Sequence, residues 1–186
     1  MSWQMIPLEE VAPTPWRNGG GVTRELLAWP TAQDWDWRMS VAAVEKSGPF
    51  SHFEKVQRWF AVLGGAGVHL TLDGQSHELT AQSAPLHFYG DKACACELID
   101  GPTEDFNLMT KTGRSSARMV RVLGALDVEV KPGTRVAVYA WDERVSVQVN
   151  KKFVTVAPHT LAWRALADGA SVRIEAPSAL WMEMAR

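Results

Sequence analysis

Arginine, asparagine and aspartate recur in the first 110 residues at positions suited to receiving an anion. Arg17, Asn18, Thr23 and Arg24 surround the run Asn18-Gly19-Gly20-Gly21. Such a run can present consecutive backbone N–H groups as an anion nest, or serve as a glycine turn or bulge. It matches neither G-x-G-x-x-G nor G-x-x-x-x-G-K-[ST], and no helical pattern follows it, so nucleotide-loop readings fail. Arg58 is in phase with Phe60 and Val62 and points where apolar residues point, whereas Arg38 lies opposite the Trp35/Trp37 face of its strand. A guanidinium on an apolar face needs a partner. Asp105 and Asn107, two residues apart on one strand face, are the natural ones. Two compatible outcomes follow: a structural Arg–Asp pair, and a polar pocket in which arginine grips a carboxylate bidentately.

Other chemistries have less support. There is no G-x-S-x-G elbow, and Cys94 and Cys96 have no evident histidine partner. Their spacing is not C-x-x-C, and a disulfide between them would be strained. Both read as free thiols packed beside Leu98 in a reducing cytoplasm. His52, His69, His77, His87 and His159 show no recognised metal-ligand spacing. Acid–base work by Asp105 or His87 stays open, because residue type alone does not assign it. No catalytic residue and no cofactor is therefore assigned.

Composition narrows the partners. The 186 residues carry 19 basic and 21 acidic side chains, a balance that lacks the electrostatic footprint of a nucleic-acid binder. No apolar run approaches the roughly 18–20 residues of a membrane span. The opening Met1-Ser-Trp-Gln-Met-Ile-Pro lacks a basic segment followed by an apolar one, so a cytoplasmic protein without a signal peptide is expected. Nine tryptophans against two tyrosines are the compositional oddity. Trp16 alone among them sits in a candidate site motif, and most of the others read as core.

Period two positions these residues. Trp35, Trp37, Met39, Val41 and Ala43 alternate with Asp36, Arg38, Ser40 and Ala42, as on a half-buried strand. Val68–Leu72 leads into Asp73-Gly74, a hairpin turn, and Asn150-Lys151 is a second turn between Val145–Val149 and Phe153–Val156. A short helix near Pro7–Val11 is the only helical signal. Short strands with Gly, Pro and Asp punctuation define an all-β sandwich or barrel. The pattern around Arg58–Val62, Val68–Leu72 and Glu97-Leu98 returns about 76 residues later around Arg135–Val138, Val145–Val149 and Arg173-Ile174. This predicts two fused β-lobes, residues 1–113 and 114–186, joined near Gly113-Arg-Ser-Ser116. The first would carry a site and the second would serve as scaffold.

The chain resembles the HutD/Ves family of small bacterial proteins. The resemblance rests on Trp16-Arg-Asn-Gly-Gly-Gly-x-Thr-Arg-Glu25, Trp37-Arg38-x-Ser40, Gly48-Pro-Phe-Ser51, Arg58 with Leu63-Gly-Gly-x-Gly67, Phe88-x-Gly-Asp91 and Asp105-Phe-Asn-Leu-Met109. These motifs span about Trp16 to Met109; the rest matches by pattern only. The resemblance implies an RmlC-like cupin fold of two fused jelly-roll or β-barrel lobes, a bicupin linked to histidine utilisation. Urocanate or formylglutamate would then be the sensed metabolite. On the ligand spacing of metal cupins, His52, Glu54 and Arg58 take the ligand positions, and a guanidinium cannot ligate a metal. No metal is expected. Many relatives carry an acidic residue where this chain has Gln57.

The expectation is a metal-independent binder of a small carboxylate metabolite. Arg17, Arg24, Arg38 and Arg58 would supply charge, and Asn18, Thr23, Asp105 and Asn107 would orient the ligand. No nucleic-acid or membrane partner is expected, and a homodimer is left open. The alternatives are a metal-free cupin enzyme acting on a small carboxylate, and a structural or protein-interaction module.

Overall fold

Side-chain alternation at period two becomes seventeen strands and, among the described residues, one short 3-10 turn. The computed structural model describes residues 2–186. The early elements are β1 (Gln4–Pro7), the 3-10 turn (Leu8–Glu10), β2 (Thr14–Pro15), β3 (Gly21–Pro30), β4 (Trp35–Val44) and β5 (Gly48–Pro49). Next come β6 (Val56–Gly64), β7 (Val68–Leu72), β8 (Gln75–Leu79), β9 (Leu86–Tyr89), β10 (Cys94–Leu98) and β11 (Thr103–Lys111). The remainder are β12 (Ser116–Val130), β13 (Arg135–Ala140), β14 (Val145–Val149), β15 (Lys152–Val156), β16 (Thr160–Ala165) and β17 (Ala170–Ala185). The short helix expected near Pro7–Val11 is the 3-10 turn.

The chain forms two compact units. One is Ala12–Ser115; the other combines residues 2–11 with Ser116–Arg186. Residues 2–11, read from sequence as part of the first lobe, supply β1, which pairs with β16 of the later unit.

In the Ala12–Ser115 unit a six-stranded sheet runs β2-β3-β4-β11-β6-β9 and a four-stranded sheet runs β5-β10-β7-β8. The turn Asp73-Gly74 closes the β7–β8 hairpin with φ of 46° and 84°, the left-handed pair that a two-residue hairpin demands. Phe60, Val62, Val68, Leu70, Phe88, Cys94 and Cys96 form this unit's apolar cluster. Both cysteines are free and buried, and Leu98 packs on the same cluster.

The other unit repeats the plan with longer pieces. Its order is β1-β16-β13-β17-β14-β15, with β12 also on β17. The sixteen-residue β17 pairs with β13 through Ala179–Met184 and with β14 through Val172–Glu175. The first unit divides that work between β11 and β10. The expected turn at Asn150-Lys151 joins β14 to β15. This interior is a continuous Val, Ala and Ile cluster capped by Trp181.

The alternation predicts a half-buried β4, but Trp37, Met39 and Val41 on one face and Asp36, Ser40 and Ala42 on the other are all buried. On its polar face Arg38, Ser40 and Ala42 line a cavity.

Candidate functional site

That cavity lies wholly within the Ala12–Ser115 unit and has a volume of about 480 Å³. β4 supplies Arg38, Ser40, Ala42 and Val44 as successive same-face residues, and β6 supplies Arg58 and Phe60. β11 lies between these strands and contributes Asn107 and Met109. Pro49, Phe50, Ser51 and Phe53 close another side, and the stretch from Pro15 to Asn18 with Thr23 completes the wall. The lining contains three arginines and no Asp, Glu, His, Cys, Lys or Tyr.

Arg58 dominates the electrostatics. Its side chain is 5% exposed, and Nη2 donates to Asn107 Oδ1 at 2.9 Å. The guanidinium carbon stands 5.1–5.6 Å from the ring centres of Phe88, Phe50 and Phe53. These rings supply a favourable quadrupole but no countercharge. Nε has no hydrogen-bond partner. Among the described residues no carboxylate forms an ion pair with Arg58. Burial therefore pulls its pKa down to about 10, with the Arg38 charge adding to that direction and Cys94 opposing it. The residue stays cationic at neutral pH.

Arg38 is the second charge. Burial lowers its pKa, and Glu25 at 3.6 Å opposes the shift. Nη2 meets Met109 Sδ at 3.5 Å, and the guanidinium stacks 5.0 Å from Trp35 and 5.2 Å from Phe53. Arg17 and Asn18 are exposed at the rim. Half-buried Thr23 is fixed by Trp16, whose Nε1 donates to Thr23 Oγ1 at 2.7 Å.

Of the eight residues expected to form the site, Arg17, Asn18, Thr23, Arg38, Arg58 and Asn107 line one cavity. Arg24 and Asp105 do not. Arg24 follows Thr23 on β3 and so takes the other face. Asp105 shares the Asn107 face but pairs with Ala42 and Val62, whereas Arg58 pairs with Met109. Four residues along a strand are roughly 13 Å, beyond the reach of Arg58. The expected Arg58–Asp105 pair does not form. Thr103 Oγ1 donates to Asp105 Oδ2 at 3.0 Å, and Oδ1 has no partner. Burial pushes this carboxyl up to about 7, against the Thr103 hydrogen bond.

The glycine run is a turn. Gly20 N donates to Asn18 Oδ1 at 2.9 Å and Gly19 N to the Trp16 carbonyl at 3.1 Å, so those amides are not an open anion nest. Gly21 is required by close approach, since a Cβ there would lie 2.3 Å from the Ala43 carbonyl oxygen.

His87 and Gln57 lie outside the cavity, bonded to each other at 3.0 Å, and His87 stacks on Trp59. Sequence reasoning missed Phe50, Ser51, Phe53 and Met109. The first two and Met109 lay inside motifs already singled out; Phe53 carried no signal. Among the described residues no group of three or more His, Cys, Asp or Glu side chains converges as metal ligands would. The other unit has a cavity of about 370 Å³ at the ends of β13, β14 and β16. Its wall holds Arg135, Arg164 and Asp168 but no aromatic ring.

Two β-units built on one strand plan, one with a polar cavity inside, define a bicupin. The chain belongs to the HutD family, whose model matches residues 8–182. An uncharacterized 21.2 kDa protein of the hutC 3′ region in Pseudomonas putida is 35% identical over 118 residues, 62% of each chain. Protein Ves of Cronobacter sakazakii is 36% identical over 56% of this chain and 58% of that one. The chain thus spans about three fifths of the curated relatives it matches. The structure of HutD from Pseudomonas fluorescens SBW25, solved in a formate condition, superposes with a TM-score of 0.85 at 29% identity, covering 98% of both chains. Lactobacillus farciminis oxalate decarboxylase gives a TM-score of 0.67 at 9% identity over 99% of this chain and 86% of that one, a likeness of fold alone. Among the described residues no helix is long and apolar enough to cross a membrane.

Proposed function

We propose that this protein binds a small carboxylate metabolite in the Arg38/Arg58 cavity and acts as a cytoplasmic sensor or regulator in histidine utilisation, with urocanate and formylglutamate as candidate ligands. The carrying observation is Arg58, a buried guanidinium with one neutral hydrogen-bond partner and no ion pair. A charge held this way is unfavourable in the empty protein and becomes favourable when an anion completes it. A volume of about 480 Å³ suits a ligand of that size, and Trp16, Phe50, Phe53 and Phe60 suit an apolar or planar body.

Binding is favoured over catalysis because the wall holds no side chain that exchanges protons near neutrality. Asp105 and His87, the two acid–base candidates, lie outside that wall. Calorimetric titration with urocanate, formylglutamate and histidine tests the reading, and heat is expected from at least one of the first two. If all three give none, and Arg38→Ala and Arg58→Ala change stability alone, the cluster is structural.

A further inference from the structure

Each unit has a central strand whose inward residues face partners on both flanking strands. On β11, Met109 lies between Arg38 of β4 and Arg58 of β6. On β17, Glu183 lies between Arg118 of β12 and Val136 of β13. The next inward level matches as well: Ser40, Asn107 and Phe60 in one unit, Val120, Trp181 and Val138 in the other. Met109 and Glu183 are thus comparable positions, each an inward residue of its unit's central strand paired with an arginine of a flanking strand.

They differ in charge at nearly constant length. Glu183 pairs with Arg118 at 3.0 Å and accepts a hydrogen bond from Trp181 Nε1 at 3.0 Å. Met109 offers Arg38 a thioether at 3.5 Å, a weak acceptor without charge. Glu25, the carboxylate near Arg38, is 42% exposed and 3.6 Å away. We infer that Met109 is the specificity-determining residue of the cavity: its neutrality leaves the Arg38/Arg58 pair open to an external anion, where the duplicate unit has closed its arginine with Glu183. The inference rests on the carboxylate reading above. A carboxylate at residue 109 would lie beside both guanidiniums as a tethered competitor, at an effective concentration that a free ligand cannot match.

The test compares Met109→Glu with Met109→Gln, which keeps length and removes charge. Urocanate and formylglutamate are titrated into each full-length variant, and unfolding midpoints are measured without ligand. Met109→Glu is expected to weaken binding about 100-fold or more and to raise the midpoint above that of Met109→Gln, which loses less than about tenfold. Equal losses in both variants would assign Met109 a packing role and overturn the inference, as would undiminished binding by Met109→Glu. If the native protein binds neither carboxylate, the carboxylate reading fails, and an unchanged midpoint in Met109→Glu then removes the electrostatic role too. Should Met109→Glu not fold, the charge can be added afterwards. Met109→Cys, in a background carrying Cys94→Ala and Cys96→Ala, is alkylated with iodoacetate through the cavity that residue 109 lines and compared with the same variant alkylated with iodoacetamide. Only the charged adduct should block binding.

Discussion

The two units solve one strand plan in opposite ways. The unit of residues 2–11 and Ser116–Arg186 fills its interior with Val136, Val138, Ala140, Val147, Ile174 and Trp181, each essentially inaccessible. Each of the valines and Ile174 contributes roughly 1.5–3 kcal/mol by leaving water. The Ala12–Ser115 unit forgoes part of that gain at the corresponding levels, where it carries Arg38, Ser40, Asn107 and Arg58 around open volume. Stability and a polar cavity compete for the same positions, and duplication lets one copy take each. Arg58, a buried cation without a countercharge, marks the aromatic-walled cavity of the Ala12–Ser115 unit.

The sharpest way to break the comparison is Arg58→Met. It should cut carboxylate affinity about 100-fold or more, because truncating one side of a buried charged contact costs about 2–5 kcal/mol. Ligand-free stability should move by no more than about 1 kcal/mol, since relief of the buried charge offsets the lost bond to Asn107. Paired calorimetry and urea unfolding give both numbers. A large loss of stability with affinity retained would make Arg58 an ordinary core strut.

The reciprocal change in the other unit should do the reverse. Glu183→Ala leaves buried Trp181 Nε1 without its acceptor and Arg118 without its partner. A stability loss of about 1–3 kcal/mol is expected, mostly from the indole, since Arg118 is exposed. Urocanate titration of this variant should match the native protein.

Much of this arrangement was legible in the chain. Alternation located the strands, and Asp73-Gly74 and Asn150-Lys151 fixed two hairpins, because period and turn chemistry are local properties. The phase of Arg58 with Phe60 and Val62 correctly announced a buried guanidinium. What local pattern could not supply was register. Asp105 and Asn107 look equivalent on one face, yet only Asn107 stands within reach of Arg58, because β11 pairs Met109 rather than Asp105 with it. Nor does alternation say which face is the inside. The Trp35/Trp37 face looked like the core side, while the Arg38/Ser40 face turned out to enclose the cavity. Phe53 was illegible because it reaches both arginines from a loop.

Asp105 sharpens the contrast through pH. Burial holds its carboxyl at about 7, above the unfolded value of about 3.9. Between these values the native state binds the proton more tightly than the unfolded chain. The stability this contributes is therefore full below pH ~4 and is lost as pH rises through about 7. Asp105→Asn should remove that slope and exceed the native protein in stability by about 4 kcal/mol at pH 8, with the gap closing towards pH 4. Urea midpoints across that range measure it. A gap that stays constant with pH would mean that Asp105 keeps its ordinary acidity and that the interior of this unit is wetter than its burial implies.

The smallest effect concerns Gln57. Gln57 pairs across strands with Tyr89 and bonds to His87, on the side of β6 away from Arg58. Burial lowers the His87 pKa. A carboxylate at position 57 would favour the imidazolium, so Gln57→Glu should raise that pKa, modestly because the pair is partly exposed. Imidazole proton shifts followed by NMR report it directly. Carboxylate affinity should stay put, because the change adds charge outside the cavity and leaves Arg38, Met109 and Arg58 as they are. An affinity loss approaching that of Met109→Glu would mean that charge on the outer face of β6 is felt inside, and the division between the cationic cavity and the outer face of β6 would no longer hold.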